Sequence, residues 1–79
     1  FWDEPKRLAN LAKHGFDFAD LDEAFFLSAV VVPVKHGRHM AFGRMKDGTM
    51  AVVFSHLGTE GLSVISMRRA DRSERGLLT

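Results

Sequence analysis

The chain has no cysteine and no tyrosine, only two prolines, and no apolar run long enough to span a membrane. Without cysteine there is neither a disulfide framework nor a thiolate zinc site, which fits a reducing compartment. The roughly 20 consecutive apolar residues of a membrane helix are missing, and no signal-peptide pattern opens the chain. A strong excess of positive charge is missing too. The net charge is +1, whereas nucleic-acid-binding domains are often strongly basic. Nor is there a glycine-rich phosphate loop, a G-x-S-x-G elbow, or a pair of carboxylates placed for glycoside hydrolysis. Ser55 and His56 are adjacent on an expected strand, so their side chains diverge and make no triad. His36 and His39 flank one turn without a third ligand nearby, so neither a metal nor another cofactor is expected.

What is present describes one globular domain over residues 1–79, with 46% hydrophobic and 27% charged residues. The chain lacks an initiator methionine and stops on Leu77-Leu78-Thr79, so it reads as trimmed at both ends. Its charges are segregated. Asp17, Asp20, Asp22 and Glu23 come early; Arg38, Arg44, Arg68, Arg69, Arg72 and Arg75 come later. Such segregation lets a nearly neutral domain present one basic face.

The element order follows from local signals. Asp3 or Glu4 caps a first helix, Pro5 fits its first turn, and Gly15 ends it. Leu8, Leu11 and Ala12 form an apolar stripe on that helix; Lys6, Asn10 and Lys13, with Arg7 and His14 beside them, gather donors on the other side. Asp17 caps a second helix in which Phe18, Leu21 and Phe25 face the core. Residues 29–34 read as an edge strand because Pro33 cannot donate to a ladder. Lys35-His36-Gly37 turns into a strand over 38–45, and Asp47-Gly48 signals a hairpin. Residues 49–55 then form a central strand apolar on both faces. A turn over 57–61 leads to a strand over 62–68, and Asp71-Arg72-Ser73-Glu74 has capping-box spacing. The order ααββββα predicts an α+β domain: two N-terminal helices, a four-stranded antiparallel sheet covered on one face, and a C-terminal helix.

Several residues suit phosphate chemistry. Arg38 and Arg44 bracket the second strand at even spacing, with Met40 and Phe42 between them on the same face. An apolar row flanked by guanidinium groups suits single-stranded nucleic acid, although such rows are more often core. Arg68 and Arg69 point to opposite faces, so one of them at most serves a given site. His14 is the best placed of four histidines to carry a proton near neutrality.

Taken in order, these residues resemble a known family. Trp2-Asp3-Glu4-Pro5-Lys6, Asn10 and Lys13-His14-Gly15-Phe16-Asp17-Phe18 resemble the opening of the BrnT toxins. Arg38, Gly43-Arg44, Val52-Val53-Phe54, Ile65-Ser66-Met67-Arg68-Arg69-Ala70 and the R-x-E-R run Arg72–Arg75 continue the likeness. The chain departs from that family's pattern in having Gly37 where a Glu often stands and Leu77-Leu78 where a Tyr often follows R-x-E-R. The resemblance implies a RelE-like fold and a cytoplasmic ribonuclease toxin of a type II toxin–antitoxin pair. Such a toxin cleaves RNA without a metal and stops translation. A BrnA-like, ribbon-helix-helix antitoxin would neutralise it, with operator DNA bound only through the complex and no membrane involved. On that basis His14, Arg38, Arg44 and Arg68 are the expected catalytic residues, and Lys6, Lys13 and Arg69 the expected RNA-binding ones. The alternative is a non-catalytic partner-binding or co-repressor module, which a basic cleft would serve equally well.

Overall fold

The computed structural model describes residues 1–46, 48–58 and 61–78. Helix α1 (Glu4–His14) begins with Pro5 in its first turn and ends at Gly15 (φ 78°), whose N–H donates to the Leu11 carbonyl. That left-handed conformation is nearly cost-free only for glycine. Helix α2 (Glu23–Ser28) is shorter than expected. Asp17 accepts from the Ala19 N–H and caps a separate 3₁₀ turn over Phe18–Asp20, while Asp22 accepts from Phe25 and starts α2 anew. Two aspartates competing for nearby backbone donors break one expected helix into two pieces.

Strands β1 (Val30–Pro33), β2 (His39–Met45), β3 (Gly48–Leu57) and β4 (Gly61–Arg69) form one antiparallel sheet in the order β1-β2-β3-β4. β1 ends at Pro33 and lies at one edge, and β3 is central, as the sequence predicts. Asp47 of the expected 47–48 hairpin, and Thr59 and Glu60 of the expected 57–61 turn, lie outside the described residues. At the other end, α3 (Arg72–Arg75) is followed by a 3₁₀ turn over Gly76–Leu78. The order of main elements is therefore ααββββα.

The helices cover one face of the sheet. There Phe18 and Phe25 pack on Ala41, Met50, Val52, Phe54, Val64 and Met67. Gly43 is required by the approach of α2: a Cβ at this position would lie 2.6 Å from the Phe25 ring. On the opposite face Phe42, Ala51 and Ala70 make a smaller apolar cluster with Val32 and Met40 against it. Phe42 is only 4% exposed and is core, not a ring held open for a base.

The outer edge of β4 is closed by the N-terminal segment. Phe1 nitrogen donates to the Leu62 carbonyl, Val64 N–H donates to Phe1, and Trp2 bridges Val64 in parallel. Further along, Asn10 of α1 takes over. Its amide nitrogen donates to the Met67 carbonyl at 2.8 Å and its oxygen accepts the Met67 N–H at 3.0 Å. One side chain thus completes the edge as a neighbouring strand would. This pairing sets the roll of α1. Asn10 is buried, Arg7 and His14 are half-buried, and Leu8, Leu11 and Ala12 are exposed. The expected orientation, with the apolar stripe inward and Asn10 among outward donors, is reversed.

Candidate active site

Residues 40, 42 and 44 of β2 alternate onto the sheet face away from α1 and α2. The register aligns Arg44 with Thr49, Phe42 with Ala51, and Ala51 with Arg68. Arg44 and Arg68 therefore share a face and one end of the sheet. Strand spacing puts their backbones roughly 12 Å apart, close enough for two long guanidinium side chains to meet one phosphate between them. Arg38 is exposed and extended (φ −97°, ψ 166°), so it continues the alternation of β2. Six residues separate it from Arg44, roughly 20 Å along a strand. The two arginines do bracket the strand, but only Arg44 shares its end with Arg68.

Arg68 is held by α3. Its two terminal nitrogens donate to the two carboxylate oxygens of Glu74 at 2.7 and 2.8 Å, and one of them also reaches the Arg69 carbonyl. Among the described residues three of its five guanidinium N–H donors are thus engaged. Glu74 is itself fixed by a reciprocal capping box with Asp71, as the 71–74 spacing predicts. The bonds from Arg68 lower the Glu74 pKa below the ordinary glutamate value, and Glu74 in turn raises that of Arg68. The R-x-E-R run has a physical explanation here: its glutamate both starts α3 and aims the β4 arginine.

α1 runs alongside β4 in the same direction, since Trp2 sits by Val64 and Asn10 by Met67. Another turn of helix brings His14 level with Arg68 and Arg69. His14 is half-buried. Arg69 projects to the helix-covered face, where its guanidinium lies 5.6 Å from the centre of the Phe16 ring. It is thus separated from Arg68 by the sheet, as alternation requires. Lys6 and Lys13 are exposed on α1. Arg7 is committed to structure: it bonds both Glu4 and Asp17. These bonds raise its pKa and lower those of both carboxylates, with the Ala19 N–H the largest cause at Asp17. The structure therefore puts Arg44 and Arg68 on one face at one end of the sheet and Arg38 at the other end; His14 is level with the first pair but belongs to α1, on the helix-covered side.

Three features escaped the sequence reading. Glu74 as the partner of Arg68 was hidden because a β4–α3 contact is invisible in a linear pattern, although the R-x-E-R run marked the residue. A cleft of about 500 Å³ opens at the Arg44 end, lined by Asp20, Asp22, Phe25, Arg44, Met45 and Lys46. Finally, His39 meets His56 rather than His36. Their rings lie 4.9 Å apart edge to face, His39 stacks on Phe54, and its Nδ1 is buried with no hydrogen-bond partner among the described residues. Among the described residues no three His, Asp or Glu side chains converge. No described helix is long and apolar enough to cross a membrane.

A family model described as the ribonuclease toxin BrnT of type II toxin–antitoxin systems matches residues 2–74. The chain belongs to the BrnT family. It is also similar to the Brucella abortus ribonuclease toxin BrnT, known from a crystal structure at 1.1 Å resolution. The identity is 56%, covering 91% of this chain and 95% of that one, with a TM-score of 0.85. No curated protein matches the chain. Membership of the BrnT family makes this a ribonuclease toxin of a type II system, with RNA as substrate and an antitoxin as partner.

Proposed function

We propose that this BrnT family member cleaves RNA without a metal ion, through Arg44, Arg68 and His14 at the α3 end of the sheet. The reading is carried by one observation: two arginines on one face, one of them clamped by Glu74, with a histidine level with them at the end of α1. His14 accepts the proton of an RNA 2′-hydroxyl. The 2′ oxygen attacks the adjacent phosphorus, the bond to the 5′ oxygen breaks, and water at this open site protonates the departing oxygen. Products are a 2′,3′-cyclic phosphate and a 5′-hydroxyl. Arg44 and Arg68 stabilise the charge that builds on the phosphate oxygens. Arg38, at the far end of β2, holds a phosphate outside the reacting centre.

Cleavage of this kind stops translation in the cytoplasm. A BrnA-like antitoxin of the ribbon-helix-helix type neutralises it, and operator DNA is bound only by the complex. The test is cleavage of labelled RNA by the purified chain in EDTA, compared with Arg44→Ala, Arg68→Ala and His14→Gln. Loss of cleavage in all three is the expected result, with each variant still folded and only Arg68→Ala melting lower, because it loses its pair with Glu74. Undiminished cleavage in the variants overturns the site. Failure of the native chain to cleave any RNA would favour the non-catalytic binding module instead.

A further inference from the structure

β1 pairs with β2 over residues 39–42, its first residue Val30 lying opposite Phe42. Past that point β2 has no strand on the β1 side among the described residues, so 43–45 form an open edge. Helix α2 approaches here instead, close enough that a Cβ on Gly43 would lie 2.6 Å from the Phe25 ring. The cleft of about 500 Å³ sits at this edge. Arg44 and Met45 point to opposite faces of the sheet, so a cleft lined by both wraps around its edge. It therefore opens towards the face that carries Arg44 and Arg68. Its volume falls within the roughly 300–1,000 Å³ of small-ligand pockets.

The lining is apolar at Phe25 and Met45, acceptor-rich on the α2 side and cationic on the β2 side. The Ser28 hydroxyl donates to the Ala24 and Phe25 carbonyls and so offers only lone pairs. Asp22 has one oxygen committed to the Phe25 N–H. Asp20 makes no side-chain hydrogen bond among the described residues, and it stands on the 3₁₀ turn anchored by the buried Phe18. A carboxylate with both oxygens open, and a cation contributed from β2, suit a planar ring with two adjacent N–H donors and an acceptor beside them. Among the four RNA bases only guanine has that edge: N1–H and the N2 amino group side by side, with O6 next to them. Adenine and cytosine offer one amino group beside ring acceptors, and uracil one N–H between two carbonyls.

Resting on the reading that Arg44 meets the reacting phosphate, we propose that this cleft is a guanine pocket for a nucleotide flanking that phosphate. Asp20 accepts N1–H and the N2 amino group, Lys46 donates to O6, and the base lies against Phe25 and Met45. Asp20 is then the residue that makes cleavage base-selective.

The test uses the intact chain and two readouts. Binding of the 3′-monophosphates of guanosine, inosine, adenosine, cytidine and uridine is measured by calorimetry for the native chain and Asp20→Asn. Cuts in a long RNA of mixed sequence are mapped for both proteins. The native chain is expected to bind the guanosine nucleotide about 10–100-fold more tightly than those of adenosine, cytidine and uridine. Inosine lacks only the N2 amino group and should bind about tenfold more weakly than guanosine, a comparison that needs no variant. Mapped cuts should carry guanine at one of the two flanking positions, and Asp20→Asn should lose all three preferences. Equal affinity for the five nucleotides overturns the proposal and, with RNA cleavage intact, leaves the catalytic reading standing. A guanine preference unchanged in Asp20→Asn also overturns it. Selective binding of the guanosine nucleotide by a chain that cuts no RNA upholds the pocket and overturns the catalytic reading instead.

Discussion

Replacing Asn10 by alanine is the sharpest test of how this domain is held together. The side chain makes three hydrogen bonds: to both backbone groups of Met67, and to the Phe16 carbonyl at 3.2 Å. Met67 is 1% exposed and Asn10 itself 7%, so water cannot freely replace the lost partner. An orphaned buried donor or acceptor costs about 1–3 kcal/mol. With two such groups on Met67, the substitution costs roughly 2–6 kcal/mol. A domain of this size has a total stability of roughly 4–12 kcal/mol. At about 4–8 °C per kcal/mol, the melting temperature falls by roughly 8–48 °C. The assay is thermal unfolding followed by circular dichroism, with hydrogen exchange at Met67 as a local readout. Asn10→Asp gives a further check. A carboxylate can still accept the Met67 N–H but opposes its carbonyl, so this variant should be at least as unstable at neutral pH and recover in part once protonated. A change of less than about 3 °C in Asn10→Ala would refute the claim that this amide stands in for a missing strand.

Other outcomes follow from the same contacts. Gly43→Ala should destabilise by about 1–3 kcal/mol in denaturant titrations, because its Cβ meets the Phe25 ring, and Phe25→Leu should partly rescue it. The folded-state pKa of Glu74 is depressed, so its pairing with Arg68 stabilises the fold fully above the ordinary glutamate value of 4.5. That contribution is lost as pH falls through the lower folded-state value. The gap in melting temperature between the native chain and Glu74→Gln should accordingly be constant from neutral pH to about 5 and close below 4.5. Arg44→Ala and Arg68→Ala should each slow RNA cleavage by roughly 10²–10³-fold. Arg38→Ala, remote from the reacting phosphate, should raise KM with little change in kcat.

The element order was legible because each boundary carries a local signal: Gly15 after α1, Pro33 at the end of β1, the capping box at 71–74. Arginine spacing on β2 likewise put Arg44 on the same face as Met40 and Phe42, as the register has it. What could not be read depends on contacts between distant segments. Two exposed leucines would ordinarily turn a helix inward. Here the unpaired edge of β4 needed a donor and an acceptor at Met67, and Asn10 supplied both. Phe42 read as a candidate base contact because nothing in the strand shows that Ala51 and Ala70 pack against it. The clamp of Glu74 on Arg68, and the meeting of His39 with His56, follow from chain turns and strand register that have no counterpart in linear spacing.

The central claim is that the α3 end of the sheet cleaves RNA through the substrate's own 2′-hydroxyl. The most direct measurement uses a short RNA cut by the purified toxin in EDTA and the same strand carrying one 2′-deoxy nucleotide at the cut site. The account predicts that cleavage yields a 2′,3′-cyclic phosphate end and stops at the deoxy position while continuing elsewhere. Equal cleavage of both strands at that position would contradict it.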